Sequence, residues 1–264
     1  ARAIREHYQP RYAGDELPST PESLAVALAD KIETLTGLFG IGQLPTGEKD
    51  PFALRRHALG ILRMLIEKEL PLSLDKLIAI GTEEESVVPG VKDATEELKQ
   101  FFHDRLRVMQ KDQGFTAHEV ESVIGSEPAI LADVPKRLKA FHDFMSLPEA
   151  ESLAAANKRI ENILKKNTLP LADAVDPALL TEKEEKDLYE AIRTLEPKLE
   201  ADYKAGRYED ELRSLAPLKA PVDAFFDKVM VNAEDEALRR NRLTLLNELH
   251  KAMNQVAKLS CLAS

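Results

Sequence analysis

The chain contains no tryptophan, a single cysteine and only 5% aromatic residues among its 264 positions. One cysteine, Cys261, excludes an internal disulfide framework and fits a reducing cytoplasm. No apolar run approaches the roughly 20 residues that a membrane-spanning helix needs, and no signal peptide is visible. The expectation is a cytoplasmic protein with no membrane partner. Positive charge is also in short supply: 36 Lys and Arg stand against 46 Asp and Glu, for a net charge of −10. That balance excludes a basic protein that coats nucleic acid, yet leaves room for local RNA contact through a few placed cations. Low-complexity tracts and a repeat period are lacking. So is a phosphate loop of the form Gly-x-x-x-x-Gly-Lys-Ser/Thr: Gly40-x-Gly42 and Thr46-Gly47-Glu48-Lys49 read as helix connections.

What is present is a chain with 31% charged residues, rich in Leu, Ala, Glu and Lys, which points to an all-α fold of helical bundles. Ala1 to Glu6 reads as the end of a helix already running, so the chain is taken as a fragment of something longer. Thr20 as N-cap and Pro21 at the first position start a helix through Leu24, Leu28, Ile32 and Leu35 that ends at Gly37. Asp50-Pro51 opens another, with Phe52, Leu54, Leu59, Leu62, Leu65 and Ile66 as its buried side, stopped at Leu70-Pro71. Four helices follow over 74–80, 91–110, 116–124 and 134–145, broken at Gly81, Pro89-Gly90, Gly114, Pro128 and Pro148. A boundary near Leu147-Pro148 gives a helical region over 1–147 and a second helical domain over 148–264. In the latter, Glu182 to Tyr203 is a long helix kinked at Pro197. Ala205 to Leu212 resembles a tetratricopeptide turn, but a single copy argues against a solenoid.

Two stretches of the C-terminal domain carry candidate chemistry. After Pro148, Leu153, Ala156, Ile160 and Ile163 mark the inner face of a helix. Lys158, Asn162 and Lys165 line an outer face at i, i+4 and i+7, with Arg159 and Lys166 beside them. A polar cationic strip of this kind suits RNA, because cations meet phosphates and amides read base edges; it equally suits a solvated helix face. Further on, Val222, Phe225, Phe226, Val229 and Met230 form one apolar stripe. The Asn232-Ala233-Glu234-Asp235 break supplies carboxylates for the N-terminus of a second helix, whose inner face is Leu238, Leu245, Leu249, Met253, Val256 and Leu259. Arg239 and Arg242, three apart, share a face at its start. Arg239 also stands four residues after Asp235, within reach of a helix ion pair.

These words resemble a known family. Val222 to Val231, Asp235 to Leu246 and Ala154 to Leu164 are similar to the anticodon-binding domain of the bacterial glycyl-tRNA synthetase β subunit, of the DALR type also found in arginyl-tRNA synthetases. His7 to Arg11, Ala29 to Leu35, Gly37 to Gln43 and Lys49 to Arg56 resemble the same subunit, there the end of an HD-like helical domain. The likeness covers most of the chain and is weakest between Ser73 and Asp143.

The resemblance implies an anticodon-binding part of a glycine–tRNA ligase that is not itself catalytic, with ATP and magnesium used by the α subunit of an α2β2 assembly. Asn157, Lys158, Arg159, Asn162, Lys165, Lys166, Arg239 and Arg242 would then be the tRNA-binding residues, flanking one groove for the anticodon loop of glycine tRNA. Two other classes stay open: a purely helical scaffold, and a remnant of an HD-type metal-dependent phosphohydrolase. The second needs a His and a His-Asp pair before its last Asp. Asp30 matches that last position, but His103-Asp104 and His142-Asp143 follow it in the wrong order, so no metal site is expected.

Overall fold

A computed structural model of the chain describes residues 1–47 and 49–262; Glu48, within the Thr46–Lys49 connection, and Ala263 and Ser264 lie outside the described residues. The described residues are helical and contain no β-strand, only two isolated bridges, Thr46 with Lys49 and Ser73 with Ile130. The chain is all-α. It divides into two compact units, one of residues 1–115 with 128–135, the other of 116–127 with 136–264.

The first unit holds α1 (Arg2–Glu6), α2 (Pro21–Gly40), α3 (Leu54–Glu67), α4 (Leu74–Glu85) and α5 (Thr95–Asp112). Thr20 caps α2 as expected: its hydroxyl accepts the Ser23 N–H, and Pro21 occupies the first turn. The helix does not stop at Gly37 but runs on to Gly40. A Cβ on Gly40 would sit 2.4 Å from Val91 Cγ1, so this glycine serves close packing, not a turn. Gly81 is a parallel case. It was expected to break a helix, yet α4 continues through it to Glu85, and a Cβ there would meet Thr36 Cγ2 at 2.8 Å. The missing side chain lets α4 lie close against α2.

α3 begins later than expected, at Leu54, because Asp50 works from outside it. The Asp50 carboxylate accepts the N–H groups of Leu54 and Arg55 at 2.8 and 3.0 Å, while Ala53 takes a left-handed conformation and Phe52 is left exposed. The buried stripes of α2 and α3 (Leu28, Ile32 and Leu35; Ile61, Leu62 and Leu65) form the core of this unit.

The second unit holds α6 (Ala117–Ile124), most of α7 (Val134–Met145), α8 (Ala150–Lys166), α9 (Lys183–Lys204), α10 (Tyr208–Arg213), α11 (Lys219–Lys228) and α12 (Glu236–Met253). Thr116 and Glu119 close a reciprocal capping box at the start of α6. Pro197 lies inside α9. Gly206 takes a positive φ of 68° where the chain turns back from α9 into α10. α8 packs on α12 and on the 3-10 turn Leu259–Leu262, and α11 packs on α9.

The apolar stripe of α11 is shorter than its sequence suggests. Val222 and Phe225 are fully buried, but the helix ends at Lys228, Val229 turns extended, and Met230 is 72% exposed. Likewise α12 ends at Met253, and Val256 and Leu259 reach the core from the irregular segment after it.

Candidate nucleic-acid interface

Three elements of the second unit meet around one open groove. α8 contributes one flank of its surface, the start of α12 contributes another, and the chain leaving α8 closes the side. The groove has a volume of about 710 Å³ and is lined by Ala155, Lys158, Arg159, Asn162, Ile163 and Lys166 from α8. Asn167, Thr168 and Leu169 follow, with Asn232, Arg239 and Leu243 opposite. Four cations line it and no carboxylate does, in a chain whose net charge is −10. That sign reversal makes the groove a local anion-attracting surface.

Its cations differ in how they are held. Among the described residues, Arg159, Lys166 and Arg239 make no ion pair. The Arg159 guanidinium lies over the Phe226 ring, 4.2 Å from its centroid. Arg239 has its Nε buried with no hydrogen-bond acceptor. The pairing of Arg239 with Asp235 does not form; Asp235 Oδ1 instead caps α12, accepting the N–H groups of Ala237 and Leu238 at 2.8 and 3.0 Å. Of the amides, Asn167 is committed to its own turn, donating to Leu169 O and accepting from Leu169 N. Asn162 and Asn232 are exposed and make no hydrogen bond among the described residues.

Three residues expected in the groove are not in it. Asn157 is fully buried, with both amide atoms unpartnered. The buried residues of α8 are Ala150, Leu153, Ala154, Asn157 and Ile160, so Asn157 stands one turn from Leu153 on the inner stripe, and the face expected to carry Ile163 is turned toward the groove. Lys165 points away and pairs with Glu161 at 2.6 Å on the exposed side of the same helix.

Arg242 is buried and structural. It donates through Nε to Glu185, through Nη1 to Met230 O at 2.8 Å, and through Nη2 to Thr181 Oγ1 at 3.3 Å. Burial alone would raise the Glu185 carboxyl; the Arg242 guanidinium and the Glu182 N–H outweigh it and hold it below its ordinary value. Arg239 and Arg242 therefore do not share a presented face: one lines the groove, the other locks α12 to the start of α9.

The third wall is shaped by contacts distant in sequence. Residues 167–182 follow α12 because Asn241 brackets Asp176, accepting its N–H at 2.8 Å and donating to its carbonyl at 3.0 Å. Thr244 Oγ1 accepts the Ala172 N–H at 3.1 Å. A proline-rich connection is thereby laid along the helix, and Thr168 and Leu169 are carried to the groove. Thr168 and Leu169 had no local signal beyond their residue types.

Asp30, the candidate metal position, is half-buried on α2. Among the described residues no three His, Cys, Asp or Glu side chains group so that they could hold a metal ion, and no helix is long and apolar enough to cross a membrane.

Two family models match the chain. Residues 1–125 match the family model described as glycyl-tRNA synthetase beta subunit, and residues 153–260 match the DALR anticodon binding domain. Similar curated proteins include the glycine–tRNA ligase beta subunits of Delftia acidovorans and Polaromonas naphthalenivorans, both 55% identical, and of Dechloromonas aromatica, 53% identical. Each match covers 100% of this chain and 37% of the relative, so the chain spans little more than a third of the length of these relatives. The groove lies wholly within the stretch matched by the anticodon-binding model, and the chain belongs to the glycyl-tRNA synthetase β-subunit family, whose C-terminal part it represents.

Proposed function

We propose that the groove between α8 and the start of α12 receives the anticodon loop of glycine tRNA, and that the protein is the tRNA-holding part of a glycine–tRNA ligase. One observation carries this reading: an acidic chain sets four cations and no carboxylate around an open groove, with two amides exposed at its rim. Lys158, Lys166 and Arg239 meet backbone phosphates, which carry affinity without sequence information. Asn162 and Asn232 offer a donor and an acceptor each to the edges of unpaired bases.

In this reading the chain contributes position, not chemistry. Holding the loop fixes the tRNA so that its acceptor end reaches an active site elsewhere. No side chain of this chain is assigned a catalytic role. ATP and magnesium act on the α subunit, with which the β subunit assembles as α2β2, in the cytoplasm.

Filter binding of the protein to glycine tRNA and to a second tRNA, across a salt series, tests the reading. Affinity that favours glycine tRNA and falls steeply with salt is expected. Equal, salt-insensitive retention of both would leave a helical scaffold in its place.

A further inference from the structure

The geometry points to Arg159 and Phe226 as a stacking seat for one unpaired base, resting on the anticodon-loop reading above. The two residues come from different helices, α8 and α11, and meet at 4.2 Å with the guanidinium over the ring. Phe226 is itself fixed from behind, edge-on to the fully buried Phe225 with centroids 5.6 Å apart. Arg159 is exposed, lines the groove and makes no ion pair among the described residues. A guanidinium used only as a phosphate anchor has no need of an aromatic backing. A planar cation held on one face by a ring presents its other face as a flat, charged platform, and bases stack on such platforms whatever their identity.

Asn162 follows Arg159 by three residues on α8, hence on the same face, and lines the same groove. Its unbonded amide stands beside the platform, where a base seated on Arg159 would present its edge. The seat separates two tasks: stacking on Arg159 selects an unpaired base, and Asn162 selects among bases. A duplex stem, with its bases already stacked, has nothing to place there.

The test is a coupling measurement. A stem-loop RNA with the anticodon loop of glycine tRNA is made intact and with an abasic residue at each loop position in turn. Its affinity is measured for the wild-type protein, Arg159→Lys and Phe226→Leu. Lysine keeps the charge and loses the plane; because Arg159 is exposed, that variant folds independently of any effect at Phe226.

At one loop position the abasic RNA should bind wild type about 5- to 150-fold more weakly than the intact RNA. In Arg159→Lys that penalty should largely disappear, with the salt dependence of binding unchanged. An abasic penalty that persists undiminished in Arg159→Lys overturns the seat while leaving the groove as an RNA site. Failure of wild type to bind any of these RNAs removes the anticodon-loop reading itself, and the seat with it.

Discussion

The Arg242 guanidinium donates through Nε to a Glu185 carboxylate oxygen 2.5 Å away, and both side chains are shut from solvent. The other Glu185 oxygen accepts the N–H groups of Thr181 and Glu182, so one carboxylate caps α9 and anchors α12 together. Removing one partner of a buried pair strands the other charge. Arg242→Ala should therefore cost about 3–5 kcal/mol in urea or thermal unfolding. The lowered Glu185 carboxyl adds a sign: its contribution is present above the ordinary glutamate range and is lost as pH falls through the lower folded value. A variant within 1 kcal/mol of wild type would show that the pair does not hold the two helices.

Glu211 is the opposite case. Burial pushes its carboxyl up to about 8, against Arg137, which pulls it down, and with Asp202, which pushes it further up. Both carboxylate oxygens lack partners. The folded chain keeps this proton where the unfolded chain has released it, so stability should fall as pH rises from about 4.5 to about 8. The slope in that window reaches about 1.4 kcal/mol per pH unit. Glu211→Gln, which mimics the protonated acid, should match wild type near pH 4 and exceed it at pH 8. Equal stability of the two proteins at both pH values would contradict the assignment.

Gly81→Ala tests the contact between α2 and α4. Helix propensity alone favours alanine by about 1 kcal/mol. The added Cβ would sit 2.8 Å from Thr36 Cγ2, deep in the contact, and overpacking of this kind costs about 1–3 kcal/mol. The expected net effect in chemical denaturation is a loss; a stabilised variant would mean that the helices have room to part.

Phe225 is fully buried, whereas Phe226 is only half so and carries Arg159 on its ring. Phe225→Ala should lose about 3–5 kcal/mol of stability. Phe226→Ala should lose clearly less, with its larger effect on RNA binding. Equal losses in unfolding experiments would put both rings in the core.

How much of this was legible follows from what each signal sees. Thr20 and the Asn232–Asp235 break act within one turn of chain, and both were legible in the sequence. Gly37 does not end α2, which runs on to Gly40, and Gly81 was misread because a glycine that admits a neighbouring helix looks the same as one that ends its own. Asn157 was expected in the groove from the resemblance, although Ala150, Leu153, Ala154 and Ile160 mark the buried stripe to which it belongs. Arg242 was beyond local reasoning: its partner Glu185 lies 57 residues away. Lys158, Arg159, Asn162, Lys166 and Arg239 stand on two helices that the resemblance already paired, and packing brings these five side chains to one groove.

The most direct test of the groove is the salt dependence of glycine-tRNA binding by Lys166→Ala/Arg239→Ala, with Lys165→Ala as a control at an exposed cation outside the groove and circular dichroism confirming the fold. Each phosphate contact adds somewhat under one unit to the log–log salt slope. The double variant should bind glycine tRNA more weakly at low salt, with a slope flatter by about 1–2 units. A folded double variant with wild-type affinity and slope would move tRNA binding off this groove.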